Sequence, residues 1–248
     1  MKIIAIGDIH GRSKEWKQIA GSHTFDKLIF IGDYWDSFNI PYIEQLHNFR
    51  EICQFKEEHP DKVVLLIGNH EFHYLPVAGI YEEQYSGYQK KKAMEIGYEL
   101  QRNLHLFQMA YQQKLRYDTC LFTHAGVTKT WFKSTLGLMG GETLDFGEAF
   151  PVDQHINDVF KHKPQLFLFQ GNDPYGDDIT QSPIWVRPQS LNEDALDYVH
   201  VVGHTSQRRI GVEPTKFLNG GSGFFIDTLG SSGEYLVIED GKIHIEKV

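Results

Sequence analysis

The sequence predicts an α/β (mixed α+β) domain, on three observations. Short apolar runs that end in glycine recur along the chain, as KIIAIGD, KLIFIGD, KVVLLIGN, TCLFTHAG and YVHVVGH. Each has the length of a strand, is rich in Ile, Val, Leu or Phe, and stops at a turn bearing Asp, Asn or His. Helical patterns lie between the early runs, and that alternation builds a right-handed βαβ sheet. In such sheets ligands bind beyond the carboxyl ends of the strands, where these polar turns fall.

Taken in order, Ser13 is placed to cap a helix over SKEWKQIA. Pro41 is placed to open a second helix, through Ile43, Leu46, Phe49, Arg50 and Cys53 at helical steps. Tyr88 to Lys114 is expected to form one long helix with Met94, Leu100, Leu104, Phe107 and Tyr111 on a single face, weakened at Gly97. Gly79 to Gly87, with Tyr81, Tyr85 and the following Tyr88, reads either as aromatics packing the entry of that helix or as a lip over a site. Leu136 to Ser190 is irregular, and its acidic stretch GNDPYGDDITQSP lacks the ligand spacing of an EF-hand, so it is read as a system of turns. Phe224 to Asp227, Glu234 to Glu239 and Lys242 to Lys247 are expected strands completing a second sheet, with EDGK as a hairpin turn. With no repeat or linker, residues 1–248 form one domain, carrying a helical and irregular insertion region around 72–118 and 128–190.

A chain of 248 residues buries roughly 70–75% of its unfolded surface, enough for a large core. No run approaches the ~20 apolar residues of a membrane span, and MKIIAIGDIHGR turns polar too early for a signal peptide, so the expected location is the cytoplasm, with no membrane partner. Cys53 and Cys120 are too few for a disulfide framework and suit buried thiols in a reducing compartment. The net charge of −9 opposes attraction to phosphate backbones and makes nucleic acid a disfavoured partner.

The polar residues at the strand ends form one set: Asp8 and His10 in GDIHG, Asp33 and Asp36 in GDYWD, Asn69 and His70 in GNHE, His124 in THAG, and His204 in GHT. Carboxylate, imidazole and amide-carbonyl ligands together suit divalent ions of intermediate hardness, manganese first and iron or zinc as alternatives. The set offers more donors than one ion takes, so two ions sharing a carboxylate are the economical solution. Glycine beside each ligand permits the sharp turn and a close approach of substrate. His23, His47, His59, His105, His155, His162, His200 and His244 stand outside these motifs and are read as surface or core histidines.

In this order the set resembles the calcineurin-like metallophosphoesterases, from Asp8 to about Asp227. The resemblance implies two facing mixed β-sheets flanked by helices, a four-layer sandwich with a two-metal centre at the strand ends. By motif, Asp8 and His10 fall on ligands of a first metal, Asp33 on the bridging carboxylate, and Asn69, His124 and His204 on ligands of a second. His70 and Asp36 fall on the catalytic pair of the phosphoprotein phosphatase branch. Two such cations lower the pKa of a bridging water, so that a hydroxide attacks phosphorus in line, while unligated His70, oriented by Asp36, protonates the leaving oxygen.

His204 is followed by Thr205 and Ser206 instead of the second histidine common in nuclease branches, which favours the phosphatase-like branch. One departure concerns substrate: Ser37 stands where that branch usually carries a phosphate-gripping arginine, and serine lacks the charged bidentate fork. Arg187 in SPIWVRP and Arg12 after GDIHG are the replacement candidates, whereas Arg208 and Arg209 suit a solvated face. The expected activity is hydrolysis of phosphate monoesters, on phosphorylated proteins (Ser/Thr or Tyr) or small phosphate esters. Symmetrical dinucleoside-tetraphosphate hydrolysis, with Tyr34, Trp35 or Trp185 stacking a base, is the alternative. A non-catalytic scaffold would have lost ligands or the acid histidine, and none is missing.

Overall fold

The structure is a computed structural model and describes residues 1–79, 86–138 and 151–248. Among the described residues two mixed sheets face one another. The first is six-stranded: β1 (Lys2–Ile6), β2 (Lys27–Phe30), β3 (Val63–Leu66) and the short β4 (Phe107–Gln108) run parallel, and β10 (Glu234–Glu239) and β11 (Lys242–Lys247) extend it antiparallel beyond β1. The second has five strands in the order β5 (Ala110–Lys114), β6 (Thr119–Thr123), β7 (Val199–Val202), β9 (Ser222–Phe225) and β8 (Thr215–Lys216). The five glycine-ended runs are β1, β2, β3, β6 and β7.

Strand periodicity divides the core. Ile3, Ala5, Ile29, Ile31, Val64 and Leu66 point from the first sheet toward Cys120, Phe122, Val201 and Phe224 of the second. Their neighbours Ile4, Ile6, Leu28, Phe30, Val63 and Leu65 point the other way. There they meet α1 (Ser13–Ser22) through Trp16 and Ile19, α2 (Tyr42–Glu58) through Phe49 and Ile52, and α4 (Ala93–Asn103) through Ile96 and Leu100. Leu121 of β6 joins a cluster with Trp131 and Phe132 of α5 (Lys129–Leu138) and Ile156 of α6 (Val152–His162). Strands buried on both faces read as continuous apolar runs, which is why they are so plain in the sequence.

Several expectations are corrected. The long helix expected from Tyr88 to Lys114 is an α-helix only over Ala93–Asn103, flanked by single 3-10 turns; Leu100 is buried as expected, but Met94 is 90% exposed and Ile96 and Gly97 are buried in its place. Beyond it Phe107 and Gln108 pair with Leu65 and Leu66, and Ala110 to Lys114 pair with Thr119 to Thr123. Sheet pairing there overrides a pattern of apolar residues that fits a helix locally. Ser13 is the first helical residue rather than the cap, and its hydroxyl bonds Glu51; Arg12 holds the cap position. Ile43 is 52% exposed, and α2 buries Leu46, Phe49, Ile52 and Cys53. The irregular region contains α6 and the short α7 (Pro188–Asp194). Of the tail, β9 joins the second sheet, but β10 and β11 join the first, because β10 pairs with β1 from Lys2↔Glu239 to Ala5↔Leu236. Their turn has positive φ at both Asp240 (53°) and Gly241 (75°), the backbone that suits a two-residue hairpin.

The acidic stretch is a turn system as expected: the Asp173 carboxylate accepts from the N–H groups of Tyr175 and Asp177, and Asp178 accepts from Thr180. Both cysteines are buried and unbridged. No helix among the described residues is long and apolar enough to cross a membrane. Tyr81 and Tyr85 of the expected lip lie outside the described residues.

His200 is a core histidine, fully buried on β7 with its Nε2 donating to the Leu196 carbonyl at 2.9 Å. Burial pushes its pKa down to about 4. Between the unperturbed value near 6.5 and about 4 the unfolded chain takes a proton that the folded one refuses. Stability is therefore present in full above pH ~6.5 and falls by on the order of 3 kcal/mol as acid is added. Chelator-treated protein melted across this range should show that slope, and His200→Gln should make it shallower, leaving the share of His10 and His204; an unchanged slope would contradict the assignment.

Candidate metal and phosphate site

The predicted residues converge where the five strand ends meet. Asp8 follows β1, Asp33 follows β2, and Asn69 and His70 lie on the one-turn helix α3 (Asn69–Phe72) after β3. His124 follows β6 and His204 follows β7. Among the described residues only five non-glycine positions have positive φ, and four of them are here: His10 (39°), Asp33 (51°), Asp36 (64°) and His204 (62°). Such conformations cost on the order of 1–3 kcal/mol each and persist only where the surroundings fix them. The loops fix one another through backbone bonds: His10 N–H to the Asp33 carbonyl (2.6 Å), Gly11 N–H to the Tyr34 carbonyl (3.0 Å) and Gly203 N–H to the His124 carbonyl (2.8 Å).

The glycines have a more specific reason than the turn. A Cβ at Gly68 would lie 2.1 Å from Oδ1 of Asp33, and one at Gly203 would lie 2.0 Å from Oδ1 of Asp8. The close approach they permit is of a carboxylate from a neighbouring loop, where the sequence suggested an approach by substrate.

Each metal-candidate histidine is held by one ring nitrogen on a backbone carbonyl. Nδ1 of His10 bonds the Trp35 carbonyl (2.5 Å), Nδ1 of His124 that of Ile31 (3.0 Å), and Nε2 of His204 that of Trp185 (3.1 Å). In that arrangement the bonded nitrogen carries the proton and the other presents a lone pair to the cluster. Nε2 of His124 lies 3.3 Å from Oδ2 of Asp33, and Nε2 of His10 lies 3.8 Å from the same oxygen. Nε2 of His124 and Nδ1 of His204 are both 2.9 Å from Oδ1 of Asn69. His10 with Asp33 and His70, and Asp8 with Asp33 and His124, are groupings whose donor atoms lie close enough to hold a metal ion.

The electrostatics ask for a cation. Burial, together with Asp227 and Asp33, holds Asp8 well above the usual carboxylate range. Burial and Asp33 raise Asp227 to about 6. Burial would raise Asp33 too, but the imidazoles of His124 and His70 draw it well below that range. Burial lowers His10 to about 4, and burial with the neighbouring His124 lowers His204 well below the usual imidazole value, so both stay neutral and available as ligands. Among the described residues no lysine or arginine forms an ion pair with Asp8, Asp33 or Asp227. A crowded set of carboxylates with unprotonated imidazoles is a donor set that a divalent ion fits.

His70 differs from the metal-candidate histidines. Its Nδ1 bonds Oδ2 of Asp36 at 2.8 Å, a carboxylate instead of a carbonyl, and its Nε2 faces Asp33 at 3.9 Å. Burial opposes its charge, yet Asp33 and Asp36 raise it to about 9. Burial alone would raise Asp36, and hydrogen bonds from His70 and His73 take it down to about 2.

Of the arginine candidates, Arg187 donates to the Tyr175 carbonyl (2.8 Å), the His204 carbonyl (3.2 Å) and the Thr205 hydroxyl (3.1 Å), and it feels the charges of Asp33 and Asp8. Arg12 turns back onto its own loop, donating to the Ile9 carbonyl (3.2 Å) against Gly230. Ser37 uses its oxygen to accept from the N–H groups of Asn39 and Ile40, which caps a turn. Tyr34, Trp35 and Trp185 are buried, Trp35 stacking on Tyr42. Arg209 faces solvent near Glu234.

Sequence reasoning missed other members. Glu71 is fully buried and accepts from the N–H groups of Asp33 (2.8 Å), Tyr34 (2.7 Å) and Gly68 (2.9 Å), which braces two ligand loops; burial and Asp33 raise it to about 7. Its place in GNHE was the available signal. Asp227 ends the apolar run FFID, in the same manner as Asp8 and Asp33 end theirs. His73 stands three residues after His70, the spacing that puts both rings on one side of a helical turn.

The sequence profile described as calcineurin-like phosphoesterase matches residues 1–209. A protein serine/threonine phosphatase from Saccharomyces cerevisiae, with similarity to human phosphatase PP5, superposes with a TM-score of 0.54 at 16% identity over 99% of this chain and 79% of that one. A metallophosphoesterase from Sphaerobacter thermophilus gives 0.49 at 13% identity over 100% of this chain and 88% of that one. YfcE, a phosphoesterase from E. coli, gives 0.41 at 12% identity over 97% and 89%. At 16% identity the first of these likenesses is one of fold, and no curated protein matches closely enough to count as a relative. With the profile spanning most of its length, the chain belongs to the calcineurin-like phosphoesterase family.

Proposed function

We propose that this protein hydrolyses phosphate monoesters with two divalent ions, Mn²⁺ by preference, and acts on phosphorylated proteins or small phosphate esters in the cytoplasm. Asp8 and His10 would hold one ion, Asn69, His124 and His204 the other, and Asp33 both. When bound, the ions supply a nucleophilic water of lowered pKa and charge stabilisation for the phosphoryl oxygens.

One observation carries the reading: His70 is anchored through Nδ1 on a buried carboxylate while its Nε2 points to the ligand cluster. That geometry delivers a proton from Nε2 to a leaving oxygen seated at the cluster, which an alkoxide needs and a plain metal site does not provide. With Asp33 engaged as a ligand, Asp36 would remain the carboxylate partner of the imidazolium. Arg187, tied to the backbone of the His204 loop, reaches phosphate oxygens from the rim and stands in for the arginine that Ser37 lacks. Burial of Tyr34, Trp35 and Trp185 removes the stacking platform on which dinucleoside-polyphosphate hydrolysis would draw.

Metal-stripped protein should be inactive, and Mn²⁺ should restore turnover of p-nitrophenyl phosphate and phosphopeptides well above that of the bis ester or diadenosine tetraphosphate. No turnover of any ester, with bound metal verified, would refute the proposal. His70→Asn should retain both ions by metal analysis and slow alkyl phosphate hydrolysis by ~10²-fold or more. Parent rates in that variant would remove His70 from the reaction. Arg187→Ala should raise KM and lower kcat/KM; unchanged kinetics would leave phosphate binding to another cation.

A further inference from the structure

The carboxylate that orients His70 is itself held by more than His70 requires. Oδ2 of Asp36 lies 2.8 Å from Nδ1 of His70 and 2.8 Å from Nε2 of His73. Oδ1 accepts from the Tyr74 hydroxyl at 2.6 Å and from the Gln89 side-chain amide at 3.1 Å. A carboxylate has about four lone-pair sites, and this one fills them with four side chains. Asp36, with His70 and His73, also brings donor atoms within metal-binding reach of one another, but all four of its contacts are hydrogen bonds to side chains.

Tyr74 is the keystone of this arrangement. Its hydroxyl donates to Asp36 and accepts from the backbone N–H of Gln89 at 2.7 Å, and its ring stacks on Tyr88 at 4.8 Å. The chain at Gly87 lies directly over Asp36, because a Cβ there would stand 3.1 Å from both Cβ and the carbonyl oxygen of Asp36. The terminal torsion of an aspartate is broad, so a carboxylate held only by His70 would rotate. Asp36 also sits at a positive φ of 64°, where its backbone alone does not settle the side-chain direction.

We propose that Tyr74, seated by Gln89 and backed by His73, is a positioning residue that aims Asp36 at His70 and so sets the direction of the donated proton. This rests on the role of His70 given above. It adds that the aim comes from a second chain segment, Gly87 to Gln89, which has no part in holding metal.

The test is Tyr74→Phe, which keeps the ring and removes the hydroxyl. On Mn²⁺-loaded protein, kcat for an alkyl phosphate such as a phosphoserine peptide should fall by roughly 10- to 100-fold, the size of one hydrogen bond to a charged group, with KM unchanged. Turnover of p-nitrophenyl phosphate, whose leaving group needs little protonation, should fall by much less. In an Asp36→Asn background the same change should cost nothing further, since Tyr74 would then have no carboxylate to aim. Equal losses on both esters, or additive losses in the double variant, would overturn the proposal. Nitrogen-resolved NMR of the metal-free protein gives a separate readout. The Nδ1–H proton of His70 should move in Tyr74→Phe while the rest of the spectrum stays folded, and an unmoved signal would contradict the role. If the parent hydrolyses no ester at all, the assignment of His70 fails while this spectrum still decides what Tyr74 does.

Discussion

The structure turns on mutual repulsion among carboxylates brought together at strand ends. Asp8, Asp33 and Asp227 feel one another's charge, and the first two are almost wholly buried. Removing ionised carboxylates from water costs several kcal/mol each unless they are paired. The histidines around them are turned, by their bonds to Trp35, Ile31 and Trp185, so that lone pairs face inward. An arrangement of negative charge and lone pairs is poorly matched to itself and well matched to cations. The same constraint explains the glycines, since a side chain at Gly68 or Gly203 would occupy the space of a carboxylate oxygen.

Holding this arrangement takes a rigid frame, and the strained residues show how rigid. His10, Asp33, Asp36 and His204 keep left-handed backbones that residues other than glycine rarely adopt. Glu71 spans the β2 and β3 loops with three N–H groups, and the backbone links from His10 to Asp33 and from Gly203 to His124 join the ends of strands in both sheets. The two-sheet core beneath supplies the packing against which that strain persists. The proposed division of labour rests on what each histidine is tied to: His10, His124 and His204 are anchored on carbonyls and turn a free ring nitrogen to the cluster, whereas His70 is anchored on a carboxylate, as a proton carrier would be.

Much of this was legible because the site consists of repeated local grammar. A parallel strand buried on both faces writes itself as a continuous apolar run, and each run ended in the residue that reaches the site. What was not legible depended on distant pairing. Phe107 to Lys114 fits a helical face as well as it fits strands, and only Leu65, Leu66 and the β6 strand decide between them. The tail strands could be seen, but β10 and β11 were assigned to the wrong sheet, since membership of a sheet rests on β1 offering its free edge. His73, Tyr74 and Gln89 around Asp36 carry no signal in residue type alone, because their importance comes from a carboxylate more than thirty residues earlier in the chain. Ser37, read in the sequence as a departure from the phosphatase-like pattern, has a hydroxyl oxygen that caps a turn.

The central claim is that Asp33 lies between two cations rather than beside one. Anomalous diffraction from a crystal grown with Mn²⁺ tests it directly. The account predicts two peaks about 3.5–4 Å apart, one against Asp8 and His10, the other against Asn69, His124 and His204, with Asp33 touching both. A single peak, or none at saturating metal, would contradict it.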